Sequence, residues 1–410
     1  MTASRPTRLL QRLCAIASAL AIAGIAGCTP PPKPQATPAP PPAPTHVRSA
    51  ARHPLTGEQS GFVRLSNMPA GHVPVRVGVL LPFSSGSAGT RNLAKTLMNA
   101  AQLAMFDSRN PDILLMPQDE GSSPAQAVSA ARTLISEGAE VILGPLFAQS
   151  VAAVAPIARD HAVPVIGFST DRAVGGDGVY LLSYQPETEV KRVISYAAAH
   201  GHANFTGVIP RNAYGDRVLA AFKAEATAEK VNVRAILRFD PGATDLSPTA
   251  SAASASGADA ILIAQGGTQL AALAPLLGPT HPQLLGTGLW AERSLAKEVA
   301  LSGGWFAAPP PRADANFDEH YRATFGSAPP QLAPLAYDAI SLIAALASGP
   351  PYHRFTDAAL TDPNGFSGVS GVFRFNADGS CDRGLAILAI TPEGFRVVDP
   401  APHSFQAQGS

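Results

Sequence analysis

Val73-Pro74-Val75-Arg76-Val77-Gly78-Val79-Leu80-Leu81-Pro82 is a β-branched apolar run, and a Gly- and Ser-rich loop at 83–89 breaks it. Such a run, bounded by proline and a flexible loop, predicts a strand buried on both faces. Leu93, Leu97, Ala101, Ala104 and Met105 then recur at three- and four-residue spacing, the pattern of an amphipathic helix packed on a sheet. The unit is strand, loop, helix.

The alternation continues along the chain. Strands are expected at 113–116, 140–144 and 163–168, with helices at 124–137 and 148–160 between them, the latter kinked at Pro156. A second series follows, with helices at 187–200 and 215–230 and strands at 206–210, 233–239, 258–264 and 282–286. Helices near 316–325 and 334–347 and a β-meander over 369–375, 385–390 and 395–398 complete the chain. Continuous apolar strands separated by helices predict an α/β fold of two Rossmann-like lobes with parallel sheets. The cleft between the lobes is where ligands of open α/β sheets bind.

Composition narrows the function classes. With 46% hydrophobic residues in 410, the chain can bury a sizeable core. Lys plus Arg and Asp plus Glu are 30 each, so no basic excess argues for a nucleic-acid partner. Arg5, Arg8 and Arg12 precede an apolar run over 13–27 that is shorter than a membrane span, so residues 1–27 read as a signal peptide. Ile25-Ala26-Gly27-Cys28 resembles the bacterial lipobox, which implies lipidation of Cys28 and anchoring of the mature protein on a membrane. Only Cys381 then remains as a thiol. Residues 29–45, TPPPKPQATPAPPPAPT, form a stiff polyproline spacer about 50 Å long at ~3.1 Å per residue, and 28–72 as a whole is assigned as linker.

Several motifs in order resemble the type I periplasmic-binding family, the fold of branched-chain amino-acid-binding proteins, over roughly 74–398. They are residues 75–86, Leu143-Gly144-Pro145, Ala155-Pro156-Ile157-Ala158, Val163-Pro164-Val165-Ile166, Ala213-Tyr214-Gly215, Ala336-Tyr337-Asp338-Ala339 and Gly368-Val369-Ser370-Gly371. The resemblance implies a binding domain over 73–400, a three-strand hinge and a tail at 401–410. Lobe 1 would comprise about 73–186 plus 308–365, and lobe 2 about 187–307 plus 366–400. Ile142-Leu143-Gly144-Pro145-Leu146-Phe147 and Phe168-Ser169-Thr170-Asp171-Arg172 are most similar to the penicillin-binding protein activator lipoproteins. That likeness implies an outer-membrane anchor facing the periplasm and activation of a bifunctional penicillin-binding protein, supporting peptidoglycan synthesis. The alternative is a solute-binding protein of a branched-chain amino-acid-type ABC transporter, with a small polar ligand in the cleft.

Candidate cleft residues follow from strand ends. Ser84 lies in the first loop, Ser150 near a helix N-terminus suited to an anion, and Ser169 and Thr170 after the next strand. Capping of the following helix or turn competes with ligand binding at Ser150, Ser169 and Thr170. Tyr214 matches an aromatic wall in the family, or packs a loop. Gln265 ends another strand, and Trp290 either lines the cleft or packs. An acid for a ligand ammonium is missing from Gly286-Thr287-Gly288-Leu289-Trp290-Ala291, a segment that also fits GxGxxA without the acidic residue a dinucleotide site needs. Asp119 and Glu120 read as solvated loop charges. With no GxSxG, HExxH, CxxC or GxxxxGK[ST], no catalytic residue, metal ligand or cofactor is expected, and the chain reads as non-enzymatic.

Overall fold

The computed structural model describes residues 61–405 except 70, 72, 278–281, 312–314 and 352. The expected signal peptide 1–27, Cys28, the polyproline spacer and the last five residues of the tail lie outside the described residues.

The first lobe is built on a six-stranded sheet. Its elements are β1 (Val63–Arg64), β2 (Val75–Leu81), α1 (Ala88–Ser108), β3 (Ile113–Asp119), α2 (Pro124–Ser136), β4 (Val141–Leu143), α3 (Ala148–Asp160), β5 (Val165–Gly167) and β6 (Val179–Leu181). The strand order is β1-β3-β2-β4-β5-β6, parallel throughout except for β1. All seven residues of β2 are buried, because alternate side chains feed two different cores. Val75, Val77, Val79 and Leu81 pack toward α1, while Leu80 packs toward α2 and α3. β1 corrects the expected domain start: Val63 and Leu65 pack on one core and Phe62 and Met68 on the other, so the last part of the assigned linker is an edge of the sheet. Its single alternation is too short to be seen as a strand in the sequence.

The second lobe contains α4 (Pro186–Ala199), β7 (Asn204–Pro210), α5 (Ala213–Ala228), β8 (Asn232–Phe239), α6 (Ser247–Ser254), β9 (Ala260–Ile263), α7 (Gly267–Leu273), β10 (Gln283–Gly286) and β11 (Trp305–Ala308). The chain then forms α8 (Ala315–Phe325), α9 (Ala333–Ala347), α10 (Asp357–Leu360), β12 (Phe366–Gly368), β13 (Gly371–Phe375), β14 (Cys381–Arg383), β15 (Ala386–Thr391) and β16 (Gly394–Asp399). The second sheet runs β16-β15-β11-β10-β9-β7-β8, with β15 and β16 added antiparallel to a parallel set.

Phe317, Tyr321 and the buried face of α9 belong to the first lobe's core beside α1. So do Phe373, Phe375 and Cys381 of the small antiparallel sheet β12-β13-β14. Residues 366–383 were expected in lobe 2 and instead sit on lobe 1, because aromatic side chains at alternate positions of β13 stack on it, Phe375 against Tyr180 at 5.3 Å between ring centres. Only the segment from Leu385 onward enters the second sheet's core.

The chain passes between lobes after β6, after β11 and after β14, and a buried ion pair fastens the last of these passages to α9 of the first lobe. Arg383 donates to Asp338 Oδ2 at 3.2 Å and to Ser370 Oγ at 2.9 Å, and its guanidinium lies 4.8 Å from the Tyr184 ring centre. Asp338 also accepts from Val369 N–H at 2.7 Å, so every partner of this buried acid is a donor.

Candidate functional site

In both lobes the loops that follow the parallel strands lie where the two sheets meet. Arg172, just beyond β5, donates from Nε to Gln185 Oε1 at 2.6 Å and lies 3.7 Å from Glu187 of α4. Arg217 of α5 takes the same Glu187 carboxylate through two hydrogen bonds, at 2.9 and 2.6 Å. Gln331, in the connection before α9, donates from Nε2 to Gly288 O at 3.1 Å. The carboxyl ends of the strands in the two lobes therefore face each other, the arrangement in which open α/β sheets bind ligands.

On the first lobe, Asp119 at the end of β3 accepts from Ser84 N–H at 3.2 Å and Gly121 N–H at 2.9 Å. Burial pushes its carboxyl upward, but the N–H and hydroxyl groups of Ser84 together with Gly121 outweigh this and hold it below the usual range. Ser84 itself is exposed. Glu120, next in the chain, corrects the expectation of a solvated charge, because it is 0% exposed. Leu146 N–H donates to its Oε2 at 2.9 Å and Phe147 N–H to its Oε1 at 3.3 Å, and Ser150 adds a side-chain hydrogen bond. Burial pushes its carboxyl up and these donors pull it partly back. The hydroxyl of Ser150 is thus engaged with an internal anion at the head of α3. Ser169 is buried and accepts from Asp171 N–H at 3.1 Å, which makes it a turn-former, while Thr170 is exposed beside it.

On the second lobe, Tyr214 and Thr287 share a hydrogen bond of 2.8 Å between their hydroxyls. Burial raises the Tyr214 phenol well above its ordinary value, so it stays neutral. Glu189, on the first turn of α4, lies beneath the same loop and accepts from Gly288 N–H at 3.1 Å. Its carboxyl thus lies against the 286–291 segment, which carries no acid of its own. Burial raises its carboxyl to about 7, with Glu187 adding to the rise and the Gly288 N–H and Arg217 opposing it.

Trp290 is not a cleft residue. It is 0% exposed, packs in the second lobe's core, and donates from Nε1 to Gln265 O at 2.9 Å. Gln265 is half-buried, with its Nε2 turned onto Gly266 O at 3.3 Å. The glycines of the 286–291 segment serve this packing: a Cβ on Gly286 would collide with the Trp290 indole, and one on Gly288 would lie 2.6 Å from Glu189 Oε1. The GxGxxA match is therefore a packing motif.

A cavity of about 760 Å³ bordered by His202, Ser254, Asp259, Gln283 and Ser302 lies at the amino ends of β9 and β10, the opposite end of the second sheet's strands. Its polar groups are engaged by their neighbours, Asp259 with Ala203 and Asn204, Gln283 with Gly303 O, and Ser254 with Leu277 O. The site is placed at the meeting edges instead.

The family model for periplasmic binding proteins matches residues 74–394. The chain belongs to the periplasmic binding protein family. Membership implies a place in the cell envelope. Among solved structures, a putative branched-chain amino acid ABC transporter protein of Rhodospirillum rubrum is 16% identical at a TM-score of 0.72, covering 79% of this chain and all of that one. A branched-chain amino acid ABC transporter periplasmic ligand-binding protein of Burkholderia xenovorans is 20% identical at 0.68, covering 80% of this chain and 96% of that chain. An R. palustris solute-binding protein in complex with benzoate is 18% identical at 0.60, covering 82% and 98%. At these identities the likeness shows the fold, a two-lobed type I periplasmic-binding architecture like that of leucine-binding proteins. An uncharacterized protein of Rickettsia prowazekii is 21% identical over 144 residues, 35% of this chain and 38% of that relative's length.

Proposed function

We propose that the protein is a non-enzymatic solute-binding protein of an ABC-type importer whose cleft holds a small polar ligand through an ammonium or other cationic group. The observation that supports this reading is Glu189. A buried acid whose carboxyl is raised to about 7 sits at the strand ends facing the first lobe, beside the hydroxyls of Tyr214 and Thr287. A cationic ligand would hold it ionised and supply the charge that burial withholds. Lipidation at Cys28 and the polyproline spacer would keep the domain on a membrane, in our reading the outer membrane, with reach into the periplasm.

The test is native mass spectrometry of the protein purified from its own envelope. A stoichiometric adduct that carries a basic nitrogen and is lost in Glu189→Gln is expected. An adduct unaffected by that substitution would contradict the role of Glu189.

A second reading has its own support. Side chains of the protein bridge the two edges, through Arg172 to Gln185 and Gln331 to Gly288, which suits an adaptor that activates a bifunctional penicillin-binding protein without a solute. Recovery of such a synthase, and of no importer permease, in a pull-down from detergent-extracted envelope would favour it.

A further inference from the structure

Glu187 and Glu189 stand two positions apart on the first turn of α4, and they differ in what holds them. Glu187 receives both arms of the Arg217 guanidinium, Nε at 2.9 Å and Nη2 at 2.6 Å, and Arg172 of the first lobe lies 3.7 Å from the same carboxylate. A bidentate pair of this kind fixes both the direction and the charge of an arginine. Arg172 has further partners in Gln185 and Thr188. Glu189 is buried and accepts the Gly288 N–H at 3.1 Å, and among the described residues no arginine pairs with it. Arg217 is nonetheless near enough to draw the Glu189 carboxyl down, while Glu187 pushes it up. Tyr214, one turn before Arg217 on α5, faces the same carboxyl as a neutral phenol. The cation that α5 brings to the buried acid is thus held by a second acid of the same helical turn.

We propose that Glu187 is a specificity-determining residue: by occupying Arg217 it leaves Glu189 without an internal counter-ion, so that the cationic group of a ligand supplies one. Its part in ligand choice rests on the solute-binding reading, whereas the capture of Arg217 stands on the bidentate geometry. Without Glu187, the guanidinium is free to turn to Glu189, a desolvated acid that gains more from a charged partner than a solvated one does. Glu189 then ionises against Arg217, and an ammonium entering the cleft meets a neutralised pair. Glu187 thereby decides whether the second lobe offers its buried acid to a ligand or keeps it in an ion pair.

Variants of the full chain test this through stability and binding together. Each background is compared with its Glu189→Gln counterpart by urea unfolding at pH 5 and pH 8, which isolates the part of the pH response that belongs to Glu189. In wild type that part is expected to be a fall of about 70-fold in the folded-to-unfolded ratio, from a carboxyl at about 7 against an ordinary 4.5. Glu187→Gln is expected to shrink it to about threefold or less and to abolish isoamylamine binding in calorimetric titration at pH 8. Glu187→Ala, which offers Arg217 no acceptor at all, is expected to do the same. Adding Arg217→Gln to either variant is expected to restore both the fall and the binding, a reversal that a merely structural role for Glu187 would not produce. A wild-type fall in both Glu187 variants, or failure of Arg217→Gln to restore it, overturns the proposal. Isoamylamine bound alike by wild type and both Glu187 variants upholds the solute-binding reading and overturns the inference. A fall lost in the Glu187 variants and restored with Arg217→Gln, with no amine bound by wild type, sinks that reading and leaves the capture of Arg217 established.

Discussion

Glu189 ties the stability of the fold to pH in a direction opposite to that of an ordinary salt-bridged acid. Its carboxyl lies at about 7 in the folded protein against an ordinary value of 4.5, with burial as the main cause. Folding therefore takes up a proton between those limits. The sign follows from linkage: the stabilisation is fully present below about pH 4.5 and is lost as pH rises through about 7. At ~1.4 kcal/mol per pH unit the loss amounts to about 3 kcal/mol between pH 4.5 and 8. Glu189→Gln keeps the shape and mimics the protonated form, so it removes this loss. Unfolding free energies from urea titrations at pH 5 and pH 8 supply the comparison. The variant is expected to match wild type within about 0.5 kcal/mol at pH 5 and to exceed it by up to about 3 kcal/mol at pH 8. A difference between the two proteins that is the same at both pH values would refute the reasoning, since it would place the Glu189 carboxyl in its ordinary range.

Other substitutions probe the supports of the site. Asp338→Ala leaves Arg383 buried without its acid and is expected to lower the unfolding free energy by about 3–5 kcal/mol, measured by urea titration. Trp290→Phe removes the bond to Gln265 O while keeping most of the apolar volume, and is expected to cost about 1–3 kcal/mol in the same assay with no new ligand specificity. Cys381 is buried, and burial pushes its thiol up to about 12, so a thiol reagent is expected to label it only in denaturant. Arg172→Ala removes one bridge between lobes, and faster amide exchange over residues 182–188 is expected by mass spectrometry.

The sequence carries the fold where side-chain periodicity is long. β2, with seven consecutive buried residues, and α3, whose bounds 148–160 are read correctly despite Pro156, are visible because both faces or one whole stripe must be apolar. The two-residue β1 and three-residue β6 and β14 offer too few alternations to register. α6 is written largely in Ser and Ala, which give little contrast between its faces. Lobe membership of β12-β13-β14 depends on which core Phe373 and Phe375 enter, a tertiary matter that periodicity cannot address.

The candidate site was legible in part. The strand-end serines follow from the rule that ligands gather beyond strand termini, and Tyr214 from its match to the family's aromatic wall. Glu120 and Glu189 do not, because an acid in a loop or in a helix's first turn ordinarily faces solvent. Their roles come from pairing at a distance, Glu189 with Gly288 across 99 positions. One signal was present: Gly288 stands where a Cβ would lie 2.6 Å from Glu189 Oε1.

Calorimetric titration of the full chain with matched pairs, leucine against isoamylamine and benzoate against benzylamine, tests the central claim most directly. Saturable 1:1 binding of a ligand that carries an ammonium, absent with benzoate and lost in Glu189→Gln, is the expected result. Binding of benzoate alone, or ammonium binding that survives Glu189→Gln, would contradict it.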